Sequence, residues 1–154
     1  MGLMNYTTKV PVDNTAAEII KSLVKHGGRR VIMDYDPDTH ELTAVAWRVT
    51  TKNGDLSFRL PANVPAVERT LREQHSLRQV DANAVREGQA ARVAWRIVKD
   101  WVEAQMAILE TGMVEFEEIF LPYMLTGSEE TLYQMMIDRG FKALNPGQKD
   151  DQEF

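Results

Sequence analysis

The sequence predicts an α+β domain, and three observations carry that expectation. Period-two alternation recurs through the first sixty residues and breaks at Asn53-Gly54, a pair that accepts positive φ and marks a hairpin. Residues 87–111 then carry apolar side chains at helical spacing around well over half the circumference, as expected of a helix buried by neighbours on several sides. Turn and cap residues punctuate the whole chain, with no interdomain linker and no repeat. The expected architecture is an N-terminal β-α-β-β-β antiparallel sheet packed against a C-terminal layer of about four helices.

Taken in order, Tyr6, Thr8, Val10 and Val12 share one face of an alternating segment, and Pro11 assigns that strand to a sheet edge. Thr15 and Glu18 form a capping-box pattern ahead of the stripe Ala16, Ile19, Ile20, Leu23 and Val24, which Gly27-Gly28 closes. Residues 30–35, 42–50 and 55–60 read as three strands. The second puts Val45, Trp47 and Val49 on one face; the third puts Leu56, Phe58 and Leu60 on one face. Asn63 caps a short helix with Val64, Val67 and Leu71, and residues 75–85 read as a loop. The long helix follows. Residues 114–125 form a further helix that Pro122 kinks or ends, and Ser128 caps a last helix carrying Leu132, Met135, Met136 and Ile137. A single domain is expected over 1–144, sheet-rich over 5–62 and helical over 63–144, with a loose polar tail at 145–154.

Composition narrows the class. The 154 residues are 44% hydrophobic and 27% charged, which argues against global disorder. There is no cysteine, so disulfide frameworks, thiolate metal sites and cysteine nucleophiles are excluded. No apolar run approaches the ~20 residues of a membrane span, and residues 1–6 lack a signal-peptide pattern, so a cytoplasmic protein without a membrane partner is expected. Gly2 is followed at position 6 by Tyr6, where a myristoylation signal needs Ser or Thr. The net charge of −5 is segregated. Residues 59–99 carry eight basic and four acidic side chains, whereas residues 100–154 carry three basic and twelve acidic.

No conventional catalytic or metal centre is legible, and no cofactor is expected. His26, His40 and His75 are isolated from one another, and a zinc site needs three or four ligands with a close-spaced pair. Asp34, Asp36 and Asp38 lack the glycine and the distal glutamate of a calcium loop. There is no phosphate-binding glycine loop and no Gly-x-Ser-x-Gly elbow.

The basic middle segment is the candidate binding surface. Arg92, Arg96, Lys99 and Glu103 recur at spacings of four, three and four, with Trp95 beside them and Arg69, Arg72, Arg78 and Arg86 upstream. Cations for phosphates beside a ring for base stacking are what single-stranded nucleic acid requires. Ion pairs within a solvated helix face explain the same spacing, with Arg96–Asp100, Lys99–Glu103 and Glu68–Arg72 in reach. Arg48 and Arg59 fall on the sheet face opposite Trp47 and Phe58, as a second docking patch or as an ordinary polar face.

The chain also resembles a group of small, functionally uncharacterised proteins of bacteriophages and prophages. The resemblance lies in Thr8-Lys9-Val10-Pro11-Val12, in Phe58-Arg59-Leu60-Pro61-Ala62-Asn63-Val64, in residues 90–105 and in Phe120-Leu121-Pro122-Tyr123-Met124, and it spans residues 5–140. It implies a phage context and supplies no catalytic residue. Three functions stay open: a non-catalytic accessory protein binding single-stranded nucleic acid; a modulator or inhibitor of a host or phage protein complex, with self-association through Met113, Met135 and Met136 as a variant; and an enzyme or small-ligand binder with a pocket between sheet and long helix lined by Tyr6, Trp47 and Trp95.

Overall fold

The computed structural model describes residues 1–141, so the expected tail at 145–154 lies outside the described residues. The architecture is α+β, with a three-stranded antiparallel sheet in the order β1-β2-β3. Helix α1 (Val12–Lys25) precedes β1 (Arg29–Tyr35), β2 (Leu42–Thr51) and β3 (Gly54–Pro61). Then follow α2 (Val64–Ser76), α3 (Gln89–Glu110), α4 (Phe116–Phe120) and α5 (Leu132–Arg139). No helix among the described residues is long and apolar enough to cross a membrane.

The expected strand at residues 6–12 does not form. Its start is a turn, with the Tyr6 and Thr8 amides donating to the Leu3 and Asn5 carbonyls, and its end is already helical. The carbonyls of Tyr6 and Thr8 find their donor in the Gln89 side-chain amide, at 2.9 Å each, so no neighbouring strand is needed. The alternating apolar residues still serve burial, but in two different cores. Tyr6 packs with Leu71, Val80 and Val93, while Val12 packs with the sheet-side core.

Helix α1 therefore begins at Val12, with Pro11 preceding it at φ −59° and ψ 148°, a geometry proline presets. Thr15 is fully buried within the helix and does not cap it. Gly27 and Gly28 end the helix as expected. The Gly28 amide donates to the Leu23 carbonyl at 2.7 Å, and a Cβ at Gly28 would sit 2.7 Å from that same oxygen. The hairpin forms at the expected place, with Thr51 paired to Gly54. Gly54 takes φ +98°, and Asn53 keeps negative φ, so one residue of the pair meets the conformational demand.

Two clusters of buried side chains flank α3. The larger joins α1, the sheet, α3 and α4 through Ile19, Leu23, Val45, Trp47, Phe58, Trp95, Val102 and Phe120. Trp47 stacks on Phe58 at 5.7 Å and meets Phe120 edge-on at 5.3 Å. The smaller cluster, Leu71, Val80, Ala84 and Val93, lies between α2, a 3-10 turn at Ala82–Val85 and the other side of α3. That turn interrupts what the sequence read as a plain loop. Helix α3 is thus central, which is why its pattern is apolar nearly all round.

The C-terminal elements are shorter than expected. Residues 114–125 give the five-residue α4, with Glu115 and Glu118 as its capping box, and then a 3-10 turn at Leu121–Tyr123 with Pro122 inside it. Proline lacks the amide that would continue an α-helix. Met124 and Leu125 return beside β3, the Leu125 amide donating to the Ser57 carbonyl at 2.7 Å. Thr131, rather than Ser128, caps α5, its hydroxyl accepting from the Gln134 amide at 3.2 Å. Ser128 sits in the preceding turn against the Thr126 hydroxyl.

Candidate binding site at the start of the long helix

The basic segment divides into two environments. Toward its C-terminal end, Arg96 pairs with Glu18 of α1 and also donates to the Thr15 hydroxyl. Lys99 pairs with Glu103 at 2.9 Å and with Asp100 at 3.6 Å. The Glu103 carboxylate holds the Lys99 ammonium above its ordinary pKa, because the charged form donates to it. Both cations are largely covered, with side-chain exposures of 17% and 13%. They fasten α3 to α1 and to its own surface.

Trp95 corrects the expectation most sharply. It is fully buried, and its Nε1 donates to the Leu42 carbonyl at 3.3 Å. A ring held in the core between α3 and β2 offers no face to a nucleic-acid base. Trp47 is likewise buried among Phe58, Phe116 and Phe120, so the space between sheet and long helix is filled with side chains. Among the described residues both tryptophans are core side chains, and Trp95 borders a small cleft with Tyr35 and His40.

The N-terminal end of the segment is different. Arg86 and Arg92 have no carboxylate ion-pair partner among the described residues. Together with Lys9 they line a cleft of about 520 Å³, whose wall also includes Tyr6, Thr7, Thr8, Asn83, Gln89 and the carboxylate of Asp81. Gln89 organises this wall. It is 7% exposed, its amide nitrogen holds the Tyr6 and Thr8 carbonyls, and its Oε1 accepts from Arg92 Nε at 2.9 Å. Two smaller clefts adjoin. One, of about 270 Å³, shares Arg86 and adds Arg72, Glu41, Glu68 and Glu87. The other, of about 230 Å³, shares Arg92 and adds Tyr35, His40, Asp13 and Glu41.

The remaining candidates are scattered. Arg72 pairs with Glu68 at 2.8 Å on the α2 surface. Arg69 and Arg78 are exposed and line none of these three clefts; Arg78 adopts φ +57° just beyond α2. Arg48 and Arg59 share the sheet face opposite Trp47, where Arg59 pairs with Asp34 at 3.1 Å. Lys9 and Gln89 belong to the site but escaped sequence reasoning, and Tyr6 was expected in a different pocket, with the two tryptophans. Lys9 and Tyr6 read as strand residues, and Gln89 is a neutral side chain whose role depends on a strap eighty residues away.

Several other polar groups are satisfied locally, whereas Trp47 Nε1 is buried without a hydrogen-bond partner among the described residues. The Asp36 carboxylate accepts from the Thr39 and Asp38 amides, which holds it below the ordinary range and identifies the acidic turn as self-contained. Glu117 is held low by its own backbone amide and by Thr51 and Asn53, linking α4 to the hairpin. His26 bridges the Ser22 carbonyl at 2.7 Å and Glu110 at 3.0 Å, joining the ends of α1 and α3. No group of three or more His, Asp or Glu among the described residues is placed to hold a metal ion.

Fold and site together define an α+β domain with a cationic cleft beside its long helix. Searches of protein-family models, curated proteins and solved structures found no match to this chain.

Proposed function

We propose that this chain is a non-catalytic accessory protein that binds single-stranded nucleic acid at the cleft formed by Lys9, Arg86 and Arg92. One observation carries the reading: three cations face a common concavity and none is neutralised by an ion pair among the described residues. Nearby cations elsewhere on α3 are already spent on Glu18 and Glu103. Tyr35, 51% exposed on the adjoining cleft, replaces Trp95 as a ring available to bases, whereas Tyr6 on the cleft wall is packed against the smaller core. The acidic excess beyond residue 99 is compatible with this, since a polyanion responds to local potential rather than to net charge. The bacteriophage or prophage setting belongs to the same proposal and rests on the sequence resemblance; the cytoplasm is proposed from composition. Anisotropy of labelled single-stranded oligonucleotides across a salt series tests it: binding that weakens as salt rises supports the reading, and a flat response at low salt removes it.

A second reading has its own observation. Helix α5 turns Tyr133 and Ile137 outward, one turn apart, and Phe141 lies 6.5 Å from the Tyr133 ring. Met113 is 70% exposed at the end of α3. Such a surface suits a partner protein of a host or phage complex, or a second copy of this chain. Met135 and Met136 are half-buried and contribute less than the sequence implied. Size-exclusion with light scattering, together with affinity capture from infected cells, separates this reading from the first.

A further inference from the structure

The charge and fixation of the cleft discriminate among anions. Lys9, Arg86 and Arg92 contribute three positive charges and Asp81 one negative, a net of +2. An internal phosphodiester brings a single negative charge. A phosphomonoester brings nearly two at neutral pH, because its second pKa is about 6. We infer that the cleft holds a phosphomonoester, the terminal phosphate of a strand or of a free nucleotide; this rests on the nucleic-acid reading above.

The geometry of Arg92 supports the assignment. Its Nε is committed to Gln89 Oε1 at 2.9 Å, while its two Nη groups have no hydrogen-bond acceptor among the described residues. Gln89 is in turn locked by two carbonyls of the 6–8 strap. The guanidinium is therefore held through Nε, and its Nη groups, one of them lying over Gly88, keep free donors that can pair on a phosphate. Arg86, at the end of the 3-10 turn, and Lys9, on the strap, approach the same space from separate segments. A volume of about 520 Å³ leaves room for the attached nucleoside beside Tyr6.

The test uses the full chain and oligonucleotides of one sequence carrying a phosphate at the 5′ end, at the 3′ end, or at neither. A phosphorylated end should bind about tenfold more tightly than a hydroxyl end, the value of one charge-assisted hydrogen bond. The advantage should vanish in Arg86→Ala and Arg92→Ala and persist in Arg69→Ala, with thermal melts confirming that each variant folds. Competition by a nucleoside monophosphate as strong as by the phosphorylated strand assigns the cleft to free nucleotides; weaker competition assigns it to strand ends. Equal affinity for phosphorylated and hydroxyl ends, with salt-dependent binding intact, overturns the phosphomonoester and leaves the nucleic-acid reading standing. No binding of any oligonucleotide or nucleotide overturns both.

Discussion

Arg92 and Arg96 lie one helical turn apart on α3, yet their surroundings have little in common. Arg96 faces α1 and is taken up by Glu18; Arg92 faces the N-terminal strap and meets the neutral Gln89. The difference teaches that spacing along a helix assigns a face and leaves the partner to whatever packs opposite. Where a carboxylate arrives, the cation becomes structural. Where only carbonyls and an amide arrive, its charge stays available to a ligand.

Trp95, between the two arginines, gives the largest expected effect. Trp95→Ala should cost about 3–5 kcal/mol of stability in urea denaturation, the range for deleting a buried aromatic. A change below about 0.5 kcal/mol would mean an exposed ring and would merge the two halves of the segment.

Removing both cleft arginines, Arg86→Ala with Arg92→Ala, should abolish most oligonucleotide binding at low salt. Any residual log–log salt slope should be shallower by about 1.4, for two lost phosphate contacts on single strands. A slope unchanged by this pair of substitutions would place the contacts elsewhere, with Arg69 and Arg78 the first to examine.

The paired half should respond in stability and not in binding. Arg96→Ala and Glu18→Ala should each destabilise by about 1 kcal/mol, and their double-mutant cycle should show coupling of about 0.5–1 kcal/mol, since Glu18 remains half exposed. Additive effects would show that the pair contributes packing alone.

Lys99 gives the smallest and most specific effect. Its folded pKa is raised by Glu103, so its contribution is complete below the ordinary value of 10.5 and is lost as pH rises through the folded value. Stability should therefore fall less steeply above pH 10.5 in Lys99→Met than in the unsubstituted chain. Parallel alkaline profiles would show that the ion pair adds nothing.

Much of the fold was legible because it depends on local pattern. The hairpin at Gly54, the cap at Asn63, the end of α1 at Gly27-Gly28 and the extent of α3 all follow from residues close in sequence. The failures involve distant partners. Residues 6–12 alternate like a strand, but their carbonyls are satisfied by Gln89, and Thr15 resembles a cap but faces Arg96. The site was half legible for the same reason. Its arginines stood out by charge, whereas Trp95 could not be assigned to core or surface until β2 supplied the Leu42 carbonyl.

The most direct measurement compares two double variants in one oligonucleotide anisotropy salt series: Arg86→Ala with Arg92→Ala, and Arg96→Ala with Lys99→Ala, both checked for folding by thermal melt. Binding at the cleft predicts that the first pair loses affinity and salt dependence while the second retains both. Equal loss in the two pairs, or loss confined to the second, would contradict it.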